Sequence, residues 1–103
     1  MIADTIKTPY YAVIFTSIRT EDGDGYEHMA GKMVELAQLQ EGFLGVESAR
    51  NEIGITVSYW TDLESIKKWK ENYEHRIARD IGRNNWYKSF KVRIAKVESD
   101  YGF

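Results

Sequence analysis

Hydrophobic residues recur along this chain with two periods, and the switches between those periods mark out six elements. Tyr10–Arg19 has the β-branched and aromatic content of a strand. Its apolar residues fall at both parities, with Tyr11, Val13 and Phe15 on one side and Tyr10, Ala12, Ile14 and Ile18 on the other. A strand covered on both faces reads this way. The run Glu21-Asp22-Gly23-Asp24-Gly25 is turn chemistry. Beyond it, over Tyr26–Gln40, Tyr26, Met29, Ala30, Met33, Leu36 and Ala37 form one helical stripe. Gly31 weakens that helix by roughly 1 kcal/mol relative to Ala, and Gly42 suits its exit. His28 lies off the stripe and is expected at the surface.

Phe43–Arg50 and Ile53–Trp60 read as two strands joined by a tight hairpin through Asn51-Glu52, with Gly54 close behind. The third strand sorts its side chains sharply. Ile53, Ile55, Val57 and Tyr59 are bulky and apolar; Gly54, Thr56 and Ser58 are small until the alternation reaches Trp60. Thr61 followed by Glu64 has capping-box spacing for a second helix. Leu63, Ile66, Trp69, Lys70 and Tyr73 continue that helix to about Arg79. Gly82 ends it, and Asn84-Asn85 is a loop. Ser89–Val97 is the last strand, with Phe90, Val92 and Ile94 opposed to Lys91 and Arg93. Met1–Thr8 forms an arm. The tail Glu98–Phe103 ends on Tyr101 and Phe103 and is expected to dock.

The order β-α-β-β-α-β is that of the ferredoxin-like α+β fold, with a four-stranded antiparallel sheet. It is expected to form one domain over residues 1–103, with its core across about 9–97. Helices cover one face of such a sheet. Val13, Phe15, Ile55, Val57 and Tyr59 are predicted to make the second face apolar as well. A patch of that kind marks an interface, and a second copy packed sheet to sheet would cover it, giving a homodimer. On the helix side, Gly54, Thr56 and Ser58 are too small for helices to close-pack against. A pocket for a small apolar or aromatic ligand, walled by Trp60, is therefore predicted between sheet and helices.

Composition narrows the picture further. The chain has 103 residues, and a domain of that size buries only a modest core. The formal net charge of −2 argues against nucleic acid as a partner. The basic residues between Lys67 and Arg93 are interleaved with Glu71, Glu74 and Asp80. The absence of cysteine excludes disulfides, thiolate nucleophiles and cysteine-type zinc sites. The longest apolar run, around Tyr10–Phe15, is too short to cross a bilayer, and no basic segment leads into a secretory core. No membrane partner is expected, and a cytoplasmic location is.

Four groups of residues carry a family resemblance. Gly42-Phe43-Leu44-Gly45-Val46-Glu47-Ser48, Ser58-Tyr59-Trp60-Thr61-Asp62, Trp69 and Glu74-His75-Arg76 resemble the antibiotic biosynthesis monooxygenase domain family. The segment from Gly82 to Phe90 resembles a bacterial subgroup of it, and the likeness covers about Pro9 to Val97. The resemblance implies a dimeric α+β barrel with a pocket in each subunit. It also implies chemistry: characterised members oxidise aromatic polyketides with molecular oxygen and without metal or flavin, while other relatives degrade haem.

Several residues become candidates in that light. Trp60 stands where haem-degrading relatives place a pocket tryptophan; it reads either as a flat wall for an aromatic ligand or as a core residue at a strand end. Trp69 lies on a helix stripe and reads more readily as core. His75 has the pKa range of a general base, or else belongs to a solvated cluster with Glu74 and Arg76. The resemblance puts the haem relatives' iron-binding histidine at the position of Arg79 and their asparagine at Thr16, and both departures count against haem oxidation. Arg79 is either a partner for an anionic substrate oxygen or a surface arginine. Thr16, Thr56 and Ser58 are candidates to hydrogen-bond a ligand. Glu71 and His75 have i, i+4 spacing, but two ligands are too few, so no metal and no cofactor is expected. The leading expectation is a cofactor-independent monooxygenase. A non-catalytic dimeric binding module is the alternative, and a haem protein ranks third.

Overall fold

The computed structural model of the chain describes residues 2–20, 26–81 and 87–103, with their side chains except those of 26–27, 29 and 73–81. The elements follow the expected order: β1 (Tyr10–Arg19), α1 (Tyr26–Gln38), β2 (Phe43–Arg50), β3 (Gly54–Trp60), α2 (Leu63–Ile81) and β4 (Tyr87–Val97). The strands form one antiparallel sheet in the order β2-β3-β1-β4. This is the ferredoxin-like α+β fold. Among the described residues no helix is long and apolar enough to cross a membrane.

α1 buries Met33 and Ala37 from its predicted stripe. It closes two residues earlier than the periodicity predicts, because Leu39 and Gln40 donate to the carbonyls of Leu36 and Ala37, at 3.2 and 3.0 Å. Bonds of this i→i+3 type tighten a last turn. Gly42 then turns the chain with φ of 88°, a conformation that costs a side-chain-bearing residue dearly. Its carbonyl accepts the Thr61 N–H at 2.8 Å, so the exit of α1 is tied to the entry of α2.

That tie corrects the predicted cap. Thr61 is held to Gly42 as an extension of β3, so the cap falls one residue later. Asp62 Oδ1 accepts the Ser65 N–H at 2.7 Å. This bond, made to the ionised carboxylate, holds the Asp62 pKa below its ordinary value.

The strand register decides which side chains share a face. Directly paired residues project to the same side of a sheet. Val13 pairs with Ser58 and Phe15 with Thr56, while Ile14 pairs with Val57 and Thr16 with Ile55. Trp60, on the parity of Ser58, stacks on Trp69 of α2, which identifies this as the helix-bearing face. Val13 and Phe15 therefore lie on the helix side, away from Ile55, Val57 and Tyr59. The grouping of all five on one open face is overturned, because strand alternation fixes parity within a strand and not between strands.

The open face carries Ile14, Val57, Ile55, Tyr59 and Tyr10. The N-terminal arm covers one corner of it. The Ala3 N–H donates to Glu47 Oε2 at 2.9 Å, and Glu47 Oε1 accepts the Tyr59 hydroxyl at 2.5 Å. Tyr10 meets Tyr59 edge to face, with ring centroids 5.9 Å apart. The Tyr10 hydroxyl donates to Asp100 at 2.5 Å, anchoring the start of the tail. The tail's two aromatics do not dock as expected: Tyr101 and Phe103 are fully exposed beyond that anchor.

Candidate functional site

The helix-bearing face is a grid of four rows. At one end Tyr11 pairs with Trp60 and Lys96, and Trp60 pairs with Phe43. Next come Val13 with Ser58 and Ile94, then Phe15 with Thr56 and Val92. At the far end Ser17 pairs with Gly54 and Phe90, and Gly54 with Arg50. The helices press hardest on the β2–β3 half, α1 on β2 and α2 on β3. The β1–β4 half carries an apolar strip, the trough, of Val13, Phe15, Phe90, Val92 and Ile94 on one face.

The trough is aromatic at one end. Phe15 stacks on Phe90 with centroids 5.6 Å apart and planes at 23°. Tyr87 meets Phe15 edge to face at 5.4 Å. Phe90 stays 61% exposed although two rings pack on it, and Val92 and Ile94 are exposed beside it. Beyond Phe90 the row turns polar. The Arg50 guanidinium lies across Gly54 and donates to Ser17 Oγ. Ser17 itself is 1% exposed. Gly54 makes this possible, since a Cβ there would overlap the guanidinium.

The predicted site residues divide accordingly. Trp60 is 0% exposed. Its indole stacks on Trp69, meets Phe43 edge to face at 5.4 Å, and donates its Nε1–H to Ser58 Oγ at 2.9 Å. Trp60 and Trp69 pack on each other, and Trp60 is fully buried in the core. Ser58 is already engaged by that indole. Thr56 belongs to the trough row of Phe15. Thr16 does not, because its pairing with Ile55 puts it on the open face. It lines a cleft of about 270 Å³ at the end of β1 and β4, together with Ser17, Ile18, Phe90, Lys91 and Arg93. A hollow of about 320 Å³ at the start of α2 is lined by Gln40, Glu41, Asp62, Glu64, Ser65 and Lys68. Neither touches Trp60. The side chains of His75 and Arg79 lie outside the described residues, and with them the spacing of Glu71 to His75.

Phe15, Phe90, Ser17 and Arg50 were not singled out from the sequence as site residues. The alternation of Phe90, Val92 and Ile94 was the available signal for Phe90. Nothing local signals the link between Ser17 and Arg50, which joins residues 33 apart.

On the opposite face, Tyr59 is pushed up to about 12 by burial and by its bond to the Glu47 carboxylate. Glu47 is held below the ordinary carboxyl value by the Tyr59 hydroxyl and then by the Ala3 N–H. This pair fastens the arm and belongs to the framework.

The comparisons with known proteins agree with the architecture. The uncharacterised protein YqjZ of Bacillus subtilis (strain 168) is 48% identical over 99 residues, covering 94% of this chain and 87% of YqjZ. The chain belongs to the YqjZ family. No protein-family model matches it. The solved structure of PA3566 from Pseudomonas aeruginosa superposes on this YqjZ-family chain with a TM-score of 0.69, at 14% identity over 93% of this chain and 99% of the other. A Nitrosomonas europaea protein provisionally described as an antibiotic biosynthesis monooxygenase gives 0.66, at 11% identity over 95% and 96%. SnoaB, a cofactor-independent oxygenase from Streptomyces nogalater, gives 0.65, at 10% identity over 92% and 97%. The YqjZ-family chain thus has the fold of the antibiotic biosynthesis monooxygenases.

Proposed function

We propose that this chain is a cofactor-independent monooxygenase of a small aromatic molecule, bound in the trough between Phe15 and Ile94. The observation that carries the reading is the Phe15–Tyr87–Phe90 cluster. Three rings are packed on one another, yet the ring of Phe90 remains open on the helix-bearing face. Stacking on such a surface orients a flat ligand without reading its substituents. The fold shared with SnoaB supports the choice of chemistry.

The reaction follows from what an apolar trough can supply. An activated CH₂ group on the ligand loses a proton, and the resulting anion gives its electron pair to oxygen, forming a C–O bond. Loss of the second proton and cleavage of the O–O bond leave a ketone and release water, so one O₂ is consumed per CH₂ oxidised to C=O. The protein contributes an apolar surface that orients the ligand. Oxygen uptake with hydroxyanthrones tests this: turnover that falls when Phe90→Ala is introduced supports the reading, and no uptake across a broad panel sinks it.

One observation favours a second reading, a binding module without turnover. Among the described residues the trough offers Val, Phe, Ile and Thr side chains, none of which is a general base at neutral pH. This reading expects saturable binding of an aromatic probe with no oxygen consumed.

The assembly we propose is a homodimer through the open face, where Ile14, Ile55 and Val57 lie side by side and Ile55 is 45% exposed. Packing two such faces together removes that apolar surface at about 25 cal/mol per Å². Sedimentation velocity at micromolar concentration decides it, a monomer being the contrary outcome.

A further inference from the structure

We infer that Arg50 reads an anionic oxygen on the aromatic ligand of the trough, so that the preferred ligand is an aromatic carboxylate or phenolate. The inference rests on the proposed ligand site and adds its charge specificity.

Three features build the arrangement. Gly54 provides a bed without a Cβ, and the guanidinium lies across it. Ser17, buried under the row, accepts from the guanidinium and fixes its direction. Ser17 pairs with both Gly54 and Phe90, so the guanidinium and the exposed ring flank Ser17 in one row. A ring laid on Phe90 and Phe15 would therefore carry its edge substituent toward Arg50. A guanidinium presents five N–H donors in a planar fork suited to a carboxylate, and bonds to it strengthen beside apolar walls. Arg50 lies at the exposed end of β2. Ser17 matters as a positioning residue, since it holds the fork at one angle.

The experiment titrates the full chain with 2-naphthoate and with the neutral 2-naphthalenemethanol, followed by calorimetry. The wild-type chain is expected to prefer the anion by roughly tenfold, the scale of one charge-assisted bond. Arg50→Met should abolish the preference and leave the alcohol's affinity unchanged. Gly54→Ala is the second variant. It keeps the charge but pushes the guanidinium off its bed, and it should lose the same preference. Equal affinities in the wild type, or a preference that survives Arg50→Met, overturn the role of Arg50 alone. Failure of both probes to bind overturns the ligand site together with this inference.

Discussion

Val13 and Ser58 are direct partners across β1 and β3, and their side chains leave the sheet on the same side. That one pairing separates the two apolar surfaces of the molecule. Val13, Phe15, Val92 and Ile94 belong with the helices, and Ile14, Ile55 and Val57 belong to the open face.

The two faces should respond differently to a buried charge. Ile55→Glu is expected to convert the proposed dimer into a monomer, because an unpaired carboxylate in a desolvated interface is strongly unfavourable. Val92→Glu should leave the assembly intact and abolish binding of aromatic probes. Sedimentation velocity and probe fluorescence read the two outcomes. Persistence of the dimer in Ile55→Glu would remove the open face as the interface.

Trp60 and Trp69 stack with centroids 5.9 Å apart and planes at 27°. Trp60→Ala should destabilise the fold by about 3–5 kcal/mol, the cost of emptying a fully buried aromatic site. Trp60→Phe should also lower the urea midpoint, since it leaves Ser58 without its indole donor. An unchanged midpoint with lost probe binding would restore Trp60 as a ligand wall.

The Glu47–Tyr59 pair gives a pH dependence with a definite sign. Glu47 is held below its ordinary value of 4.5 in the folded chain, so folding favours its charged form. Its contribution is complete above 4.5 and is lost as pH falls through the depressed value. Tyr59 is raised from 10.0 to about 12, so its contribution is complete below 10.0 and is lost as pH climbs toward 12. Glu47→Gln should flatten the acid limb of a stability–pH curve measured by urea unfolding. An identical acid limb in the variant would mean that other carboxyls set it.

Gly42→Ala should be a costly single methyl. The residue sits at φ of 88°, and a Cβ there would stand 2.8 Å from Thr61 Oγ1 and overlap Ser65 Oγ. Backbone strain alone accounts for about 1–2 kcal/mol, and displacing the start of α2 adds to it. Gly31→Ala is the control. No atom lies within 4 Å of its added Cβ, and it should stabilise α1 by roughly 0.5–1 kcal/mol. Thermal unfolding of the two variants should shift in opposite directions.

Local chemistry made the element plan legible. β-branched runs, helical stripes and glycine breaks are properties of neighbours in the chain. They located all six elements, missing only edges such as the cap, which moved from Thr61 to Asp62 because Gly42 holds Thr61 from outside the helix. The small side of β3 was legible too, and so was the apolar alternation of β4.

The candidate site was less legible. Alternation sorts the residues of one strand into two sides but says nothing about which side of the next strand lies beside them. Only the register set Thr16 beside Ile55, away from Thr56 and Ser58. Likewise, only packing put Trp69 on Trp60. Arg50 reaches Ser17 because β2, β3 and β1 lie side by side with Gly54 between them. The sequence by itself determined which segments are strands and helices and that both sheet faces are apolar. Tertiary structure decided which residues meet on each face, because pairing between strands is a long-range choice that no local pattern encodes.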